Sequence, residues 1–230
     1  MKINFENCGQ HGMVNVLPMA VENLTPIWEE RDMQQWVGMI AGECYGSSMD
    51  RDRCVQRAIN CIRRGHHSPW EHVNITLKCL VDRGTSHALV RHRHCAFQQS
   101  STIYQNMIKS GMLNIVALPD VDPCSGAKVQ PISEEELHIY NETALHYQKQ
   151  TGDMKQAPER ARDVMPTCLA TNLIITTNFP EWMYMLRRRV GPGDAVRMHC
   201  WAALTRDWFA EHYPQTLAAF DAWYDSGRKM

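Results

Sequence analysis

Apolar positions along the chain recur with two different periods. A period of about 3.6 residues predicts an amphipathic helix, whereas an alternating or continuous apolar run predicts a strand. Helices are predicted over residues 32–44, 50–64, 84–93, 133–151, 157–163, 181–190 and 194–212. Strands are predicted over residues 13–17, 74–81, 113–118 and 169–177. Because these elements do not alternate as regular βαβ units, we predict an α+β fold in which residues 1–230 form one domain.

Composition narrows the class of protein. The 230 residues carry a formal net charge of −1, with 44% hydrophobic and 21% charged residues, which is typical of a globular chain. The neutral total argues against a broadly basic protein that binds nucleic-acid polymers. The N-terminus lacks a signal-peptide pattern, and no apolar run reaches the length of about 18 residues that a membrane span needs. We therefore expect a soluble, cytoplasmic protein that binds neither nucleic acid nor membrane.

Cysteine and arginine usage adds two points. The nine cysteines form no CxxC pair and lie mostly in apolar segments, so we interpret them as reduced core residues. Arginine outnumbers lysine by 17 to 7. Since a guanidinium is a planar fork that pairs with phosphates and carboxylates, the arginine positions are candidates for ligand binding.

Three histidines lie within residues 66–72, which read His-His-Ser-Pro-Trp-Glu-His. Their spacing matches neither HExxH nor a paired CxxC zinc site. These residues alone leave three interpretations open: a metal site, a turn whose histidines cap backbone groups at a helix end, and a loop that grips a polar cofactor.

Arg91 and Arg93 lie in the last turn of the predicted helix 84–93, where residues two apart point to different faces. A buried arginine needs an anionic or carbonyl partner, so the pair could serve two ligand groups. The alternative is a basic helix end that complements the dipole of its own helix.

Further arginines lie in two more segments. Arg160 and Arg162 fall in a short predicted helix, where they either bind a ligand or form surface ion pairs with Glu159 or Asp163. Residues 187–189 are consecutive arginines at the end of another predicted helix, and at most two of them can face inwards.

Taken together, these segments resemble the flavin-dependent thymidylate synthase family. The family signature, Arg-His-Arg followed after seven residues by Ser, is matched by Arg91-His92-Arg93 and Ser101. Three other segments resemble the family's in the same order: residues 66–72, residues 160–166, and Asn178 with Arg189 eleven residues further on. The resemblance covers residues 12–213.

The resemblance implies an α+β domain with a central, mostly antiparallel sheet flanked by helices. It implies a homotetramer whose active sites are shared between subunits. The implied activity is C5 methylation of dUMP to dTMP, with FAD as cofactor and NADPH and methylenetetrahydrofolate as co-substrates. Neither a metal nor a cysteine nucleophile is implied.

The resemblance also assigns site residues. The catalytic residues are expected to be Arg91, Ser101 and Arg189. The nucleotide is expected to bind at Arg91, Gln99, Ser100, Ser101, Thr102, Arg162 and Arg189. FAD is expected to bind at His66, Ser68, Arg91, His92, Arg93, His94, Asn178 and Tyr184. An arginine that donates to a uracil carbonyl would stabilise the enolate that develops when C5 or C6 reacts.

One departure from the family pattern bears on the substrate. Where the family has Ser-x-Arg-Tyr with the arginine on the phosphate, this chain has Ile103. Loss of this charge-assisted hydrogen bond, worth about 1.5–3 kcal/mol, should weaken phosphate binding unless Lys109, Arg187 or Arg188 takes over the contact.

Three alternatives therefore stay open. The first is methylation or hydroxymethylation of C5 in another pyrimidine nucleotide, such as UMP or dCMP. The second is a non-catalytic protein that binds flavin or nucleotide. The third is a metal hydrolase that uses the histidines of residues 66–72.

Overall fold

The computed structural model describes residues 3–47, 49–108, 111–152 and 159–227. Lys109 and the first two residues of the predicted helix 157–163 lie outside these ranges. The strands are β1 (Gly9–His11), β2 (Val14–Leu17), β3 (Ala20–Asn23), β4 (Asn74–Asp82), β5 (Ala96–Gln99), β6 (Leu113–Val116) and β7 (Ala170–Asn178). The helices are α1 (Glu30–Glu43), α2 (Arg51–Arg64), α3 (Arg83–Leu89), α4 (Glu134–Thr151), α5 (Glu159–Arg162), α6 (Phe179–Arg188), α7 (Val196–His212) and α8 (Pro214–Asp225). A 3₁₀ helix spans Ser68–His72.

The strands form two sheets. The larger sheet is antiparallel throughout, in the order β3-β4-β7-β5, and its longest pairing runs from Asn74 opposite Asn178 to Asp82 opposite Ala170. The smaller sheet has the order β1-β2-β6, with β1 antiparallel and β6 parallel to β2. The predicted α+β class and mostly antiparallel pairing are confirmed, with the strands divided between two sheets.

Alternation along the central strands determines where the main core lies. Ile75, Leu77, Cys79 and Val81 of β4 are buried, while the residues between them are more exposed. Helices α6 and α7 cover this apolar face, and the Trp182 indole of α6 donates from Nε1 to the Ile75 carbonyl at 3.1 Å. A sheet with one buried face needs this alternation, so the register of β4 is strongly specified.

The hairpin of α1 and α2 places the histidine segment. Gly38 is required in α1, because a Cβ there would lie 1.9 Å from the Cys54 carbonyl oxygen of α2. Asp50 caps α2 by accepting from the Arg53 N–H, and Gly65 ends it in the left-handed region at φ 78°. The chain then enters the 3₁₀ helix, which leads directly into β4.

The predicted helix 84–93 is wrong at its C-terminal end. Helix α3 ends at Leu89, and Arg91–Arg93 form a turn. The side chain of His92 is buried against α6, and the chain must reverse there to enter β5, whose first residue, Ala96, pairs with Thr176. A longer helix would have met neither requirement.

The sequence patterns also miss β1, β3, β5 and α8. The strands are too short for a periodic signal, and α8 packs between α2 and α7 with a broad apolar surface. None of the nine cysteines is in a disulfide, and all nine are described; however, Cys8, Cys44 and Cys124 are exposed, so the core interpretation is wrong for these three. Within the described ranges, no helix has both the length and the hydropathy to span a membrane.

Candidate active site

The predicted site residues gather at the two ends of the larger sheet. At one end, which we call the Asn178 end, lie Asn178 of β7, Asn74 of β4 and Ala96 of β5. At the other, the Thr171 end, lie Thr171 of β7 and Gln99 of β5. The two ends are seven residue steps apart on β7, from Thr171 to Asn178, which corresponds to about 23 Å along the strand.

His92 is the internal anchor of the Asn178 end. Its Nε2 accepts a hydrogen bond from Arg189 Nε at 3.1 Å, and its Nδ1 lies 3.5 Å from the Glu181 carboxylate. Because Nε2 accepts, the proton of a neutral imidazole must be on Nδ1, facing Glu181. The flanking Arg91 and Arg93 are exposed, so the turn buries the histidine and presents both arginines to solvent.

Arg189 is held at three points. Besides the bond to His92, its Nη1 lies 3.3 Å from the Asp194 carboxylate, and its Nη2 donates to the Ala88 carbonyl at 2.9 Å. A guanidinium has five N–H donors, so these contacts orient the group while two donors remain for a substrate carbonyl or phosphate. Asp194 was missed from the sequence; the requirement that a partly buried arginine have an acid nearby is the signal that points to it.

Three more predicted residues lie at the Asn178 end. Asn178 caps α6, since its Oδ1 accepts from the Glu181 N–H at 2.9 Å, which leaves the amide NH₂ as a donor toward a ligand. The backbone carbonyl of His94 accepts from Thr177 Oγ at 2.7 Å, and its side chain is exposed. The partly exposed ring of Tyr184 meets the His92 ring edge-on, with centroids 6.0 Å apart.

A cavity of about 730 Å³ lies between α1, α2 and the 3₁₀ helix. His66 and Ser68, both predicted from the sequence, line it together with Arg53 and Arg64. Sequence reasoning did not single out the two arginines, although their spacing along α2 puts several cations beside one cavity. The combination of guanidinium, imidazole and hydroxyl donors suits a phosphorylated ligand.

The histidines of residues 66–72 are not clustered with other ligands. Within the described ranges, they belong to no group of three or more His, Cys, Asp or Glu residues whose ligand atoms could share one ion. His67 packs instead against Phe220 and Trp223, with ring centroids 5.1 and 4.4 Å away. Burial lowers the pKa of His67, in keeping with a neutral ring among aromatic side chains.

A second cavity, of about 570 Å³, lies at the Thr171 end. Ser100 and Thr102, both expected from the resemblance to bind the nucleotide, line it. Ser101 Oγ accepts from the backbone N–H groups of Ile103 and Tyr104 at 3.1 and 3.2 Å, which fixes the turn that follows β5. The Gln99 amide faces inwards and donates to Ser86 Oγ at 2.7 Å.

Arg83 is the second residue that sequence reasoning missed. It lines the cavity at the Thr171 end, and its Nη1 donates to the Ser100 carbonyl at 3.1 Å. Burial and the positive charge of Arg162 both lower the pKa of Arg83. Two nearby cations, each of which disfavours the charge of the other, favour an anion beside them. The available signal was an arginine placed directly after the long buried strand β4.

Arg162 has the surface ion pair that was weighed against ligand binding. Its Nη2 lies 3.3 Å from the carboxylate of Glu159, which is 83% exposed, so this pair contributes little. Arg187 pairs with Asp225 of α8 at 2.9 Å.

The residues predicted to bind the nucleotide lie in two places. Arg91 and Arg189 lie at the Asn178 end, and Ser100, Ser101 and Thr102 follow β5 at the Thr171 end.

Comparison with known proteins agrees with the position of these segments. The family model described as "Thymidylate synthase complementing protein" matches residues 27–214, more than half of the chain. The flavin-dependent thymidylate synthase of Corynebacterium glutamicum is 30% identical over 135 residues, 54% of this chain and 53% of that protein. That of Mycobacteroides abscessus is 27% identical over 170 residues, 70% of this chain and 67% of that protein. The chain thus spans about half to two thirds of these relatives' length.

A solved structure shares the fold. The UMP/dUMP methylase PolB from Streptomyces cacaoi, bound with 5-Br dUMP, has a TM-score of 0.69 at 19% identity, with 91% of this chain and 98% of that chain covered. The resemblance inferred from the Arg-His-Arg signature is confirmed by the family match, which includes all of the predicted site residues. The chain therefore belongs to the thymidylate synthase complementing protein family, whose curated relatives are flavin-dependent thymidylate synthases.

Proposed function

We propose that this protein methylates C5 of dUMP to give dTMP. Methylenetetrahydrofolate supplies a methylene carbon, and NADPH supplies the hydride that makes it a methyl group, while C5 loses its proton. The observation that carries the proposal is the segment from Arg91 to Ser101, which places the Arg189–His92 pair at one end of β5 and the Ser100–Thr102 turn at the other.

The residues around the larger cavity fit FAD. Its diphosphate requires cations and donors, which Arg53, Arg64, His66 and Ser68 offer in a space of about 730 Å³. The 3₁₀ helix leads from this cavity to Asn74, which pairs with Asn178. Arg93, His94 and Tyr184 complete the proposed set beside Asn178. When bound, FAD supplies the hydride transfer between NADPH and the one-carbon unit.

The two donors left on Arg189, with exposed Arg91, suit a uracil carbonyl oxygen. As negative charge develops on that oxygen during reaction at C5 or C6, an oriented guanidinium stabilises it more than it stabilises the neutral carbonyl. Orientation by His92, Asp194 and the Ala88 carbonyl means that little reorganisation is needed.

The nucleotide phosphate suits the Thr171 end. Ser101, Thr102 and Arg162 were predicted for it. Thr102 and Arg83 line the cavity there, and Arg83 adds a second guanidinium near that of Arg162. This cation supports phosphate binding although residue 103 is isoleucine. The described chain thus offers the phosphate donors and the uracil donors at opposite ends of one sheet.

The arrangement of the donors fits the homotetramer with shared sites that the family resemblance implies. In such a tetramer, the Asn178 end of one subunit would face the Thr171 end of another, and each end would contribute donors to one nucleotide site. Closed symmetry repeats such a contact for every subunit, which gives one complete site per chain.

UMP is the second candidate substrate. PolB, which shares this fold, is described as a UMP/dUMP methylase. Ile103 replaces a phosphate-binding arginine of the family, so contacts at the Thr171 end differ from those of strict dUMP enzymes.

The test is to load the purified protein with FAD, confirm the flavin absorption, and incubate it with methylenetetrahydrofolate, NADPH and dUMP, UMP, dCMP or CMP in turn. We expect dTMP as the main product by mass spectrometry. Methylation or hydroxymethylation of another nucleotide, without dTMP, would contradict the dUMP assignment. A flavin-bound protein that yields no product would support a non-catalytic binding protein.

A further inference from the structure

His199 of α7 is buried between the loop around residue 122 and the turn at residues 191–194, and no role has been assigned to this histidine so far. Its Nδ1 lies 2.8 Å from the Asp122 carboxylate, and its Nε2 lies 2.9 Å from the Gly191 carbonyl. The side chains of His199 and Asp122 are only 6% and 9% exposed. The imidazole therefore ties the loop around residue 122 to the turn at residues 191–194.

Both neighbours of the ring are acceptors. A carbonyl has no proton to give, and the Asp122 carboxylate already accepts from Ser125 Oγ and the Cys124 N–H. Burial alone would raise the pKa of Asp122, but these two bonds and the bond from His199 lower it. With an acceptor at each ring nitrogen, this geometry favours an imidazolium that donates from both nitrogens.

The turn held by His199 is the one that orients Arg189. The Gly191 carbonyl also accepts from the Asp194 N–H at 3.0 Å, which closes the turn. Asp194 in turn lies 3.3 Å from Arg189 Nη1. A continuous chain of hydrogen bonds and ion pairs therefore runs from Asp122 through His199, Gly191 and Asp194 to Arg189.

We propose that the His199 imidazolium is a positioning residue that holds the turn at residues 191–194, and with it Asp194, so that Arg189 keeps its orientation toward the substrate. The kinetic consequence rests on the proposed function, since Arg189 is assigned to the substrate there. The two contacts of His199, with Asp122 and with Gly191, form what we call the His199 bridge, and this bridge is a property of the folded chain.

The charged groups that face the ring set the direction of its pH dependence. Asp122 and Asp194 are the acids near it, and the exposed Cys124 thiol lies beside both of them. Burial alone would lower the pKa of His199, but the bonds to Gly191 and Asp122 and the charge of Asp194 raise it. The bridge is thus intact below the raised pKa and is lost as the pH rises through it.

The test combines nitrogen NMR of His199, assigned by its absence from H199Q, with a pH profile of kcat/KM for the nucleotide. D122N keeps the histidine, but its amide can donate to Nδ1 and so favours the neutral ring. In the wild type we expect both ring nitrogens to be protonated at pH 7 and an alkaline loss of kcat/KM. In D122N both titrations should move to lower pH.

H199Q should lower kcat/KM about tenfold and remove that alkaline step, since a charge-assisted bond is lost. H212Q, a matched change on the same helix, should alter neither. A wild-type His199 that is neutral at pH 7, or an alkaline step that stays in place in D122N, would overturn the proposal. If no nucleotide is methylated, the proposed function fails, and the NMR titration of wild type and D122N still decides whether the bridge is an imidazolium.

Discussion

Arg189 donates from Nε to Nε2 of His92 at 3.1 Å, although 97 residues separate the two in the sequence. The contact explains why the histidine of the Arg-His-Arg segment is buried while its neighbours are exposed. His92 serves as an acceptor that fixes Arg189, and Arg91 and Arg93 remain available to ligands. The Arg-His-Arg segment thus contains one buried histidine that orients Arg189 and two exposed arginines.

Removing the Arg189 guanidinium should impair turnover more than stability. We expect R189A to lower kcat/KM for the nucleotide at least about tenfold, because a charge-assisted hydrogen bond to the reacting base is lost. R189K should recover only part of it, since an ammonium cannot reproduce the three-point fork. R51A, which removes an exposed ion pair with Asp32, is the matched control. Equal kcat/KM in R189A and R51A would contradict the role of Arg189.

Restoring an arginine at position 103 should tighten phosphate binding. Ile103 is 41% exposed, and Ser101 contacts its backbone N–H, so a long side chain fits without disturbing the turn. We expect I103R to lower the KM for dUMP by about tenfold, without changing the affinity for deoxyuridine, which lacks the phosphate. The control is I139R on the exposed face of α4. A tighter deoxyuridine complex would argue against a phosphate contact.

Asn178 should show two separable roles, because its oxygen caps α6 and its NH₂ is left as a donor for the proposed FAD site. N178A should lower the free energy of unfolding of the flavin-free protein by about 1 kcal/mol, whereas N178D keeps a cap acceptor and should not. Both variants should bind FAD several-fold more weakly, as measured by flavin fluorescence. S133A, which removes the cap of α4, should cost stability alone. Unchanged FAD affinity in N178D would assign Asn178 to the fold only.

Cys95 follows the Arg-His-Arg segment but should not act as a nucleophile. Burial raises the pKa of its thiol to about 11, so the thiolate is scarce at neutral pH. We therefore expect C95S to keep kcat within a few-fold of the wild type. A loss of all turnover in a C95S protein that still binds FAD would show that a thiol attacks the base.

Local signals account for the parts of the fold that the sequence predicts. Helix α2 is bounded by Asp50 and Gly65, and α4 by the Ser133–Glu136 capping box; both act through neighbouring residues. The end of α3 was mispredicted because it depends on Arg189, which lies far along the chain. The short edge strand β5 has no pattern of its own and exists because β7 offers it a partner.

Some residues of the candidate site could be predicted from the sequence, and others could be found only from the fold. The motif residues could be found because the resemblance names positions, whereas Arg83, Asp194 and His199 are defined by contacts across the fold. Asp194 lies in a Gly-Pro-Gly turn whose sequence does not indicate that it faces Arg189. Asp194 and His199 are brought toward Arg189 only by the packing of α6, α7 and the loop around residue 122, and Arg83 reaches its cavity through contacts with Ser100 and Thr171.

In the proposed tetramer, one nucleotide site is assembled from the Arg189 region of one subunit and the Arg162 region of another. The most direct test is to co-express R189A with R162A, isolate the mixed oligomers by two affinity tags, and measure dTMP formation. Each variant alone should be nearly inactive. In a 1:1 mixture, about one quarter of the sites should combine two unmodified halves and regain full turnover. Mixed oligomers that bind FAD but stay as inactive as either variant alone would contradict the shared site.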